Sequence, residues 1–445
     1  MNHSWLRAQL LLLPLFTFAC GSSSTTRPPD AATPDSAPPL ADAAVVDDVG
    51  EADALASATD DGGAALEAGT PDALAPDPAA GLAVVHGDSK YTSSLLSLLD
   101  PNTGALVRDN CLNSGSETPG LSQALSGDVV LPSAPLPGHP LVLIDRLNNN
   151  LIWVNPVDCK VTRQISVKNN PHDALAVNAN KLYVTRYNTN PKPATSLDGG
   201  GDLLVLDMTL GQPVARIDLA PYVAGVGFSP NPDRGRVLDG KLYVTLNGFN
   251  ADFSKAPGRM VVVDPATDTV TATINLTGLQ NCGPIVPVPG IPKALAVACA
   301  GAFSDPERLK ASGIALVDTA TTPPTVTTVS ASVFGRPLST ADLAVVGPGL
   351  GLVVVPGDDS GPPADALWRF DFVGGAPQKI LSGKDSFVLG GLVYDPSSQH
   401  VFLGEADVKK PTVHVLDVSS GAPVELASIN SDPKENMLPR NLGLY

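Results

Sequence analysis

KLYVTRYNTN (181–190) leads into a loop, and GDLLVLDMTLGQPVARIDL (201–219) follows it. An apolar strand ends in polar residues, a second apolar strand ends in Asp207, and a turn over 208–211 leads to a third strand. Short apolar runs bounded by Asn, Asp and Gly predict strands joined by tight turns. Something like this unit occurs seven times, at a period of about fifty residues.

The strands equivalent to 181–188 are GLAVVHGD (81–88), PLVLIDRL (140–147), KLYVTLNG (241–248), ALAVACAG (294–301), GLVVVPGD (351–358) and HVFLGEAD (400–407). The strands after them end in DPNTG (100–104), NPVDC (155–159), DMTLG (207–211), DPATD (264–268), DTATT (318–322), DFVGG (371–375) and DVSSG (417–421). The leading Asp or Asn of each turn accepts backbone N–H groups two residues on, so it is a hairpin device and not a catalytic carboxylate. Strands in groups, separated by turns and free of helical periodicity, predict an all-β fold, a seven-bladed β-propeller of four-stranded blades. A Gly/Ala-rich innermost strand precedes each unit, as in DALAV (173–177) and LGGLV (389–393). The first unit lacks one, and the last nine residues, MLPRNLGLY (437–445), are expected to supply it by pairing with 82–86 and closing the ring.

LYVT (182–185) with LLVLD (203–207), and LYVT (242–245) with MVVVD (260–264) and TVTATI (269–274), resemble the YVTN family of seven-bladed propeller repeats. That resemblance implies an extracytoplasmic, often surface-linked propeller, and little about chemistry, because one fold hosts enzymes, binders and scaffolds.

Before the ring, residues 1–7 are short and basic, and AQLLLLPLFTFA (8–19) is an apolar run too short to span a bilayer. Cys20, followed by Gly21 and Ser22, makes residues 1–19 resemble a bacterial lipoprotein signal peptide. The resemblance implies that Cys20 is lipidated and anchors the protein in the cell envelope, at the outer membrane because Gly21 is not Asp. Residues 21–80 hold eight Pro, 17 Ala, twelve Asp or Glu and no Phe, Trp or Tyr. Such a segment buries too little surface to offset its ordering entropy, so 20–80 reads as a disordered tether carrying the propeller of 81–445. It also holds most of the formal charge of −17. The remainder is mildly acidic, and with no basic stripe nucleic acid is excluded as a partner.

Besides Cys20 there are Cys111, Cys159, Cys282 and Cys299, enough for two disulfides in an exported protein. Cys282 and Cys299 fall at the same end of adjacent strands of blade five, which favours their pairing. Cys111–Cys159 follows only by elimination, and the repeat pattern puts those two near opposite ends of their blades. No CxxC spacing is present, so neither a metal nor a cofactor is expected.

Catalytic motifs are missing: there is no Walker loop, HExxH, GxSxG, or GxGxxG before a helix. Gly87-Asp88-Ser89 resembles the opening block of GDS-type serine hydrolases but leads into another strand, and reads as a loop. The string DGGGD (198–202) lacks the alternating acids of a calcium loop. His172 enters an innermost strand and is expected at the channel mouth with His86, Arg336 and Arg440. Loops are long in blades three to six, at 188–201, 248–258, 301–312 and 358–365, and all leave on one face. Long loops concentrate where function selects them. Their candidate binding residues are Arg186, Lys192, Asp252, Lys255, Arg308, Asp358 and Asp359. The expected molecule is a monomeric, lipid-anchored binding scaffold that presents this face to a protein or glycan partner. The alternative is a propeller-type hydrolase or lactonase with its site at the channel mouth.

Overall fold

The computed structural model describes residues 79–445, apart from 116–119, 251, 253, 304, 340–342 and 359–361. Cys20, the tether as far as residue 78 and Asp359 therefore lie outside the described residues. The strands, numbered β1 to β28 in chain order, form seven antiparallel sheets of four. The chain is an all-β, seven-bladed propeller. Its innermost strands are β4 (Val129–Val130), β8 (Pro171–Asn178), β12 (Pro232–Leu238), β16 (Cys282–Pro287), β20 (Leu343–Gly347), β24 (Leu389–Asp395) and β28 (Leu438–Leu444).

The last of these closes the ring as expected. β28 pairs antiparallel with β1 (Leu82–Gly87), Leu82 opposite Leu444 and Val84 opposite Leu442. Tyr445 extends the ladder by exchanging backbone bonds with Gly81, and its ring lies where a Cβ on Gly81 would stand, so glycine is required there.

Strand alternation explains why these strands read as unbroken apolar runs. Leu82 and Val84 pack with Phe402, Val413 and Val415 of blade seven. Ala83 and Val85, on the opposite face, pack with Leu141, Leu143 and Ile152 of blade two. The other five apolar clusters fill the remaining blade-to-blade interfaces in the same way. Both faces of each sheet are covered, so both parities are apolar. Each fully buried Leu or Val contributes roughly 1.5–3 kcal/mol.

All seven turn residues behave as the sequence predicts. The side-chain oxygens of Asp100, Asn155, Asp207, Asp264, Asp318, Asp371 and Asp417 each accept the backbone N–H two residues on, at 2.7–3.0 Å. Gly211 then takes φ 72°, a conformation costly for other residues.

Both disulfides form. Cys282 lies directly opposite Cys299 on the neighbouring strand. Cys111–Cys159 also forms, against the expectation that the repeat pattern keeps the two apart. β3 (Leu106–Asn113) bulges between Arg108 and Leu112, with Asn110 at φ 50°, and the bulge takes Cys111 out of the ladder. It thereby meets the outer turn of blade two, where Arg108 also donates to the Val157 carbonyl at 2.8 Å.

Candidate functional site

The innermost strands of blades three and four begin alike, Pro171-His-Asp and Pro232-Asp-Arg. Proline suits a first strand residue because its missing N–H leaves no gap in the ladder. Pro171 pairs with Arg186 and Pro232 with Leu246, so both strands begin at the end from which the long loops leave. The second residue of each strand meets the other across the blade boundary. His172 Nδ1 lies 2.8 Å from Asp233 Oδ1, each side chain only 13% exposed. The Tyr187 ring, from the end of β9 (Lys181–Thr189), stacks on the imidazole at 4.2 Å and 11°.

The contacts extend outward from Asp233. Asn247 donates to Asp233 Oδ2 at 3.4 Å, and Lys255 Nζ donates to Asn247 Oδ1 at 3.3 Å while lying 4.4 Å from the centre of the Phe249 ring. Arg234 donates to the carbonyls of His172 and Leu131 and comes within 4.0 Å of Asp233. Arg146 is held by Asp128 through two guanidinium nitrogens. One small volume thus brings together a histidine, a tyrosine, two carboxylates, two guanidiniums and an ammonium.

Burial pushes the His172 pKa below the ordinary histidine value, although its hydrogen bond to Asp233 opposes that. Burial would raise Asp233, but the bond from His172 and the charges of Arg234 and Arg146 hold it below the usual carboxylate range. Burial also pulls Lys255 down to about 8. The pair is therefore a neutral imidazole backed by a carboxylate. With Nδ1–H donated to Asp233, Nε2 carries the lone pair, and among the described residues it has no hydrogen-bond partner. Such a nitrogen accepts a hydrogen bond or takes a proton.

Beneath the mouth, β4 pairs for two residues only, and residues 131–139 then leave the blade-two sheet. Ser133 reaches blades three and four. Its N–H and hydroxyl donate to Asp173 at 2.9 and 2.5 Å, and the hydroxyl also donates to the Gly235 carbonyl at 3.1 Å. This contact is the floor of the site.

Of the residues singled out from sequence, His172 and Lys255 meet here through Asp233 and Asn247. The others do not. His86 is wholly buried in β1, bonded to the Met437 carbonyl, and shares no partner with His172. Arg440 turns to Tyr91 and the Asp88 carbonyl, while Asp88 ties its own loop through Lys90, Thr92 and Ser93. Arg336 reaches the blade-six loop, 3.8 Å from Asp358. Arg186, expected on a loop, is instead buried within β9, bonded to both oxygens of Asp202 at 2.7 and 2.6 Å and to the Val167 carbonyl. The strand runs on to Thr189, and its alternation turns Arg186 inward. Arg308 pins its loop to the carbonyls of Ala300 and Leu338. Lys192 and Asp252 are exposed. Among the described residues no three His, Cys, Asp or Glu side chains converge as a metal site would require.

Asp233, Arg234, Tyr187, Asn247 and Arg146 were not singled out from sequence. The signal that could have found Asp233 is the shared Pro-x-x opening of β8 and β12, which places it in the position of His172.

No protein-family model matches the chain, and no curated protein sequence does. Solved structures do. Two proteins described as a "putative 6-phosphogluconolactonase", from Bacteroides uniformis and Bacteroides fragilis, superpose with TM-scores of 0.52 and 0.50 at 12% and 11% identity. Each alignment covers 82% of this chain, and 99% and 98% of the respective structures. At that identity the likeness is one of fold.

Proposed function

We propose that this is an exported, lipid-anchored propeller that binds an acidic glycan at the His172–Asp233 mouth. The observation that carries the reading is the convergence of Lys255, Arg146 and Arg234 on one histidine–aspartate pair beside the face of Tyr187. Cations at a half-buried site favour a carboxylate-bearing ligand, the polar side chains suit its hydroxyls, and an aromatic face packs against a sugar ring. The full chain in detergent should bind a galacturonate trisaccharide better than a neutral glucose trisaccharide. Lys255→Met and His172→Ala should each weaken that binding about tenfold, roughly one hydrogen bond to a charged group. Equal binding of the neutral and acidic sugars, or wild-type affinity in both variants, would overturn the proposal.

A second reading, hydrolysis of a sugar lactone, has its own support in the open Nε2 of His172 and the names of the two Bacteroides neighbours. His172 would take a proton from water as the water oxygen bonds to the lactone carbonyl carbon. The ring C–O bond would break, and the proton would pass to the leaving alkoxide. Acid release from gluconolactone in a pH-stat, lost in His172→Ala, is the measurement that favours this reading over binding alone.

The anchor rests on Cys20 after its apolar run and on two disulfides, which suit an oxidising compartment. Cys20→Ser should move the protein from the membrane to the soluble fraction. Unchanged membrane partition in that variant counts against lipidation.

A further inference from the structure

The aromatic ring at the mouth is the first of three. Tyr187, Phe249 and Phe303 stand at or just past the ends of β9, β13 (Lys241–Leu246) and β17 (Ala294–Ala300), the second strands of blades three, four and five. One backbone device sets their height. An asparagine in the left-handed conformation, which that residue tolerates, precedes each innermost strand: Asn170, Asn231 and Asn281, at φ 55°, 44° and 55°. Its carbonyl accepts the N–H of Tyr187, Asn247 or Ala300, and the carbonyl before it accepts that of Asn188, Gly248 or Gly301, at 2.9–3.2 Å. The ladder therefore continues upward in these three blades and delivers a ring at its end. Each ring has a basic side chain against it. The His172 imidazole stacks on Tyr187, Lys255 Nζ lies 4.4 Å from the centre of the Phe249 ring, and Arg308 Cζ lies 3.9 Å from that of Phe303. A cation at such a distance is attracted to the ring face and helps to hold it. Phe303 is still 49% exposed, a large ring that the fold leaves half uncovered. Packed sheets stand about 10 Å apart, so three successive blades spread the row over about 20 Å. Tyr91, held by Arg440 in blade one, lies outside the row, because blade two has no aromatic residue in the matching loop, 145–149.

We propose that this row is an extended subsite, from Tyr187 over Phe249 to Phe303, which makes the preferred ligand an oligosaccharide chain rather than a short sugar; the inference rests on the reading of the mouth as an acidic-glycan site. A chain already held at the mouth meets the outer ring intramolecularly, which raises affinity without altering the first contact. The two ends work differently. At the mouth Lys255, Arg146 and Arg234 stand ready for carboxylates. At the far end Arg308 is engaged by the carbonyls of Ala300 and Leu338, and Lys310 by Glu307. Phe303 therefore stacks on the apolar face of a sugar ring, and no cation there is directed at the sugar's carboxylate.

The test is calorimetric titration of the full chain with galacturonate trisaccharide and hexasaccharide. The hexasaccharide should bind about tenfold more tightly, through the added contact at the outer ring. Phe303→Ala should abolish that gain and leave the trisaccharide affinity unchanged, and Phe303→Leu should do the same because it keeps an apolar side chain but no flat ring. Phe303→Trp should restore the gain. His172→Ala should weaken both oligomers. Equal affinity for the two lengths, with the preference for acidic over neutral trisaccharide intact, sinks the extended subsite and leaves the mouth reading standing. A hexasaccharide gain that survives in Phe303→Ala, or equal weakening of both lengths in that variant, also overturns it. If neither oligomer binds, the mouth reading itself has failed and this inference falls with it.

Discussion

Strands β8 and β12 carry His172, Asp173, Asp233, Arg234 and Arg236, whereas β16, β20 and β24 read CGPIVP, LAVVG and LGGLVYD. The two sectors of the ring share turns, strand order and blade packing, so the framework does not require the charges of blades three and four. Carboxylates also serve in two ways. Asp395, at the end of β24, closes its own hairpin through Ser397 and Ser398. Asp365 accepts four backbone N–H groups, from Gly357, Phe387, Val388 and Leu389, and ties blade six to blade seven. Asp233 instead is held by side chains, His172 and Asn247, beside a nitrogen with no hydrogen-bond partner among the described residues. A carboxylate saturated by backbone donors is part of the frame. One held by side chains around open space is available to a ligand.

The largest expected effect tests that distinction directly. Asp365→Ala strands four donors in the link between blades, and each buried unsatisfied donor costs about 1–3 kcal/mol. Urea unfolding should show a loss of at least about 3 kcal/mol. Asp233→Asn keeps an acceptor for His172 and should cost no more than about 1 kcal/mol, yet it should weaken ligand binding at the mouth. If the two variants lose equal stability, the two kinds of carboxylate are not different in kind.

The frame was legible because it is repeated. A turn Asp seen once is ambiguous, but six, with Asn155 as the seventh, at the same point of a fifty-residue period report one backbone requirement. Even the ring closure could be read, since a unit lacking its first strand and a tail supplying one are complementary. The site was legible only in part, because it lies where repeats depart from one another and single departures have no second copy to calibrate them. His172 stood out because histidine is rare in this chain, while Asp233 was hidden among many aspartates. Loop length indicated blades three to six, but only the ends near Tyr187 and Lys255 reach the mouth. In blades five and six the charges of Arg308, Arg336 and Asp358 pin the loops to the frame. Segment 131–139 carried no signal, since its departure from the sheet is a packing outcome with no motif of its own.

The smallest effect sharpens the comparison through two histidines that titrate in opposite senses. In blade seven His414 lies between Glu405 and Glu425, at 3.1 and 2.8 Å. Burial opposes its charge, but the two carboxylates prevail and its pKa is raised, while those of both glutamates are lowered. A raised histidine contributes stability below its unfolded value near 6.5 and loses it as pH rises through the folded value. The depressed glutamates contribute above about 4.5 and lose it as pH falls through their folded values. This cluster is therefore strongest between those limits. His172 and His86 behave oppositely: burial lowers both, His86 to about 4, so their neutral forms support the fold above 6.5 and that support fades as pH falls. Replacing His414 by Gln should flatten the decline in unfolding free energy from pH 6.5 to 8.5 and leave the limb between pH 6.5 and about 4.5 in place. Replacing His86 by Phe should flatten the limb between pH 6.5 and 4 and leave the alkaline side unchanged. Should both variants alter the limb between pH 6.5 and about 4.5, the opposed electrostatics of the two histidines would be wrong, although the geometry of the two sectors would stand.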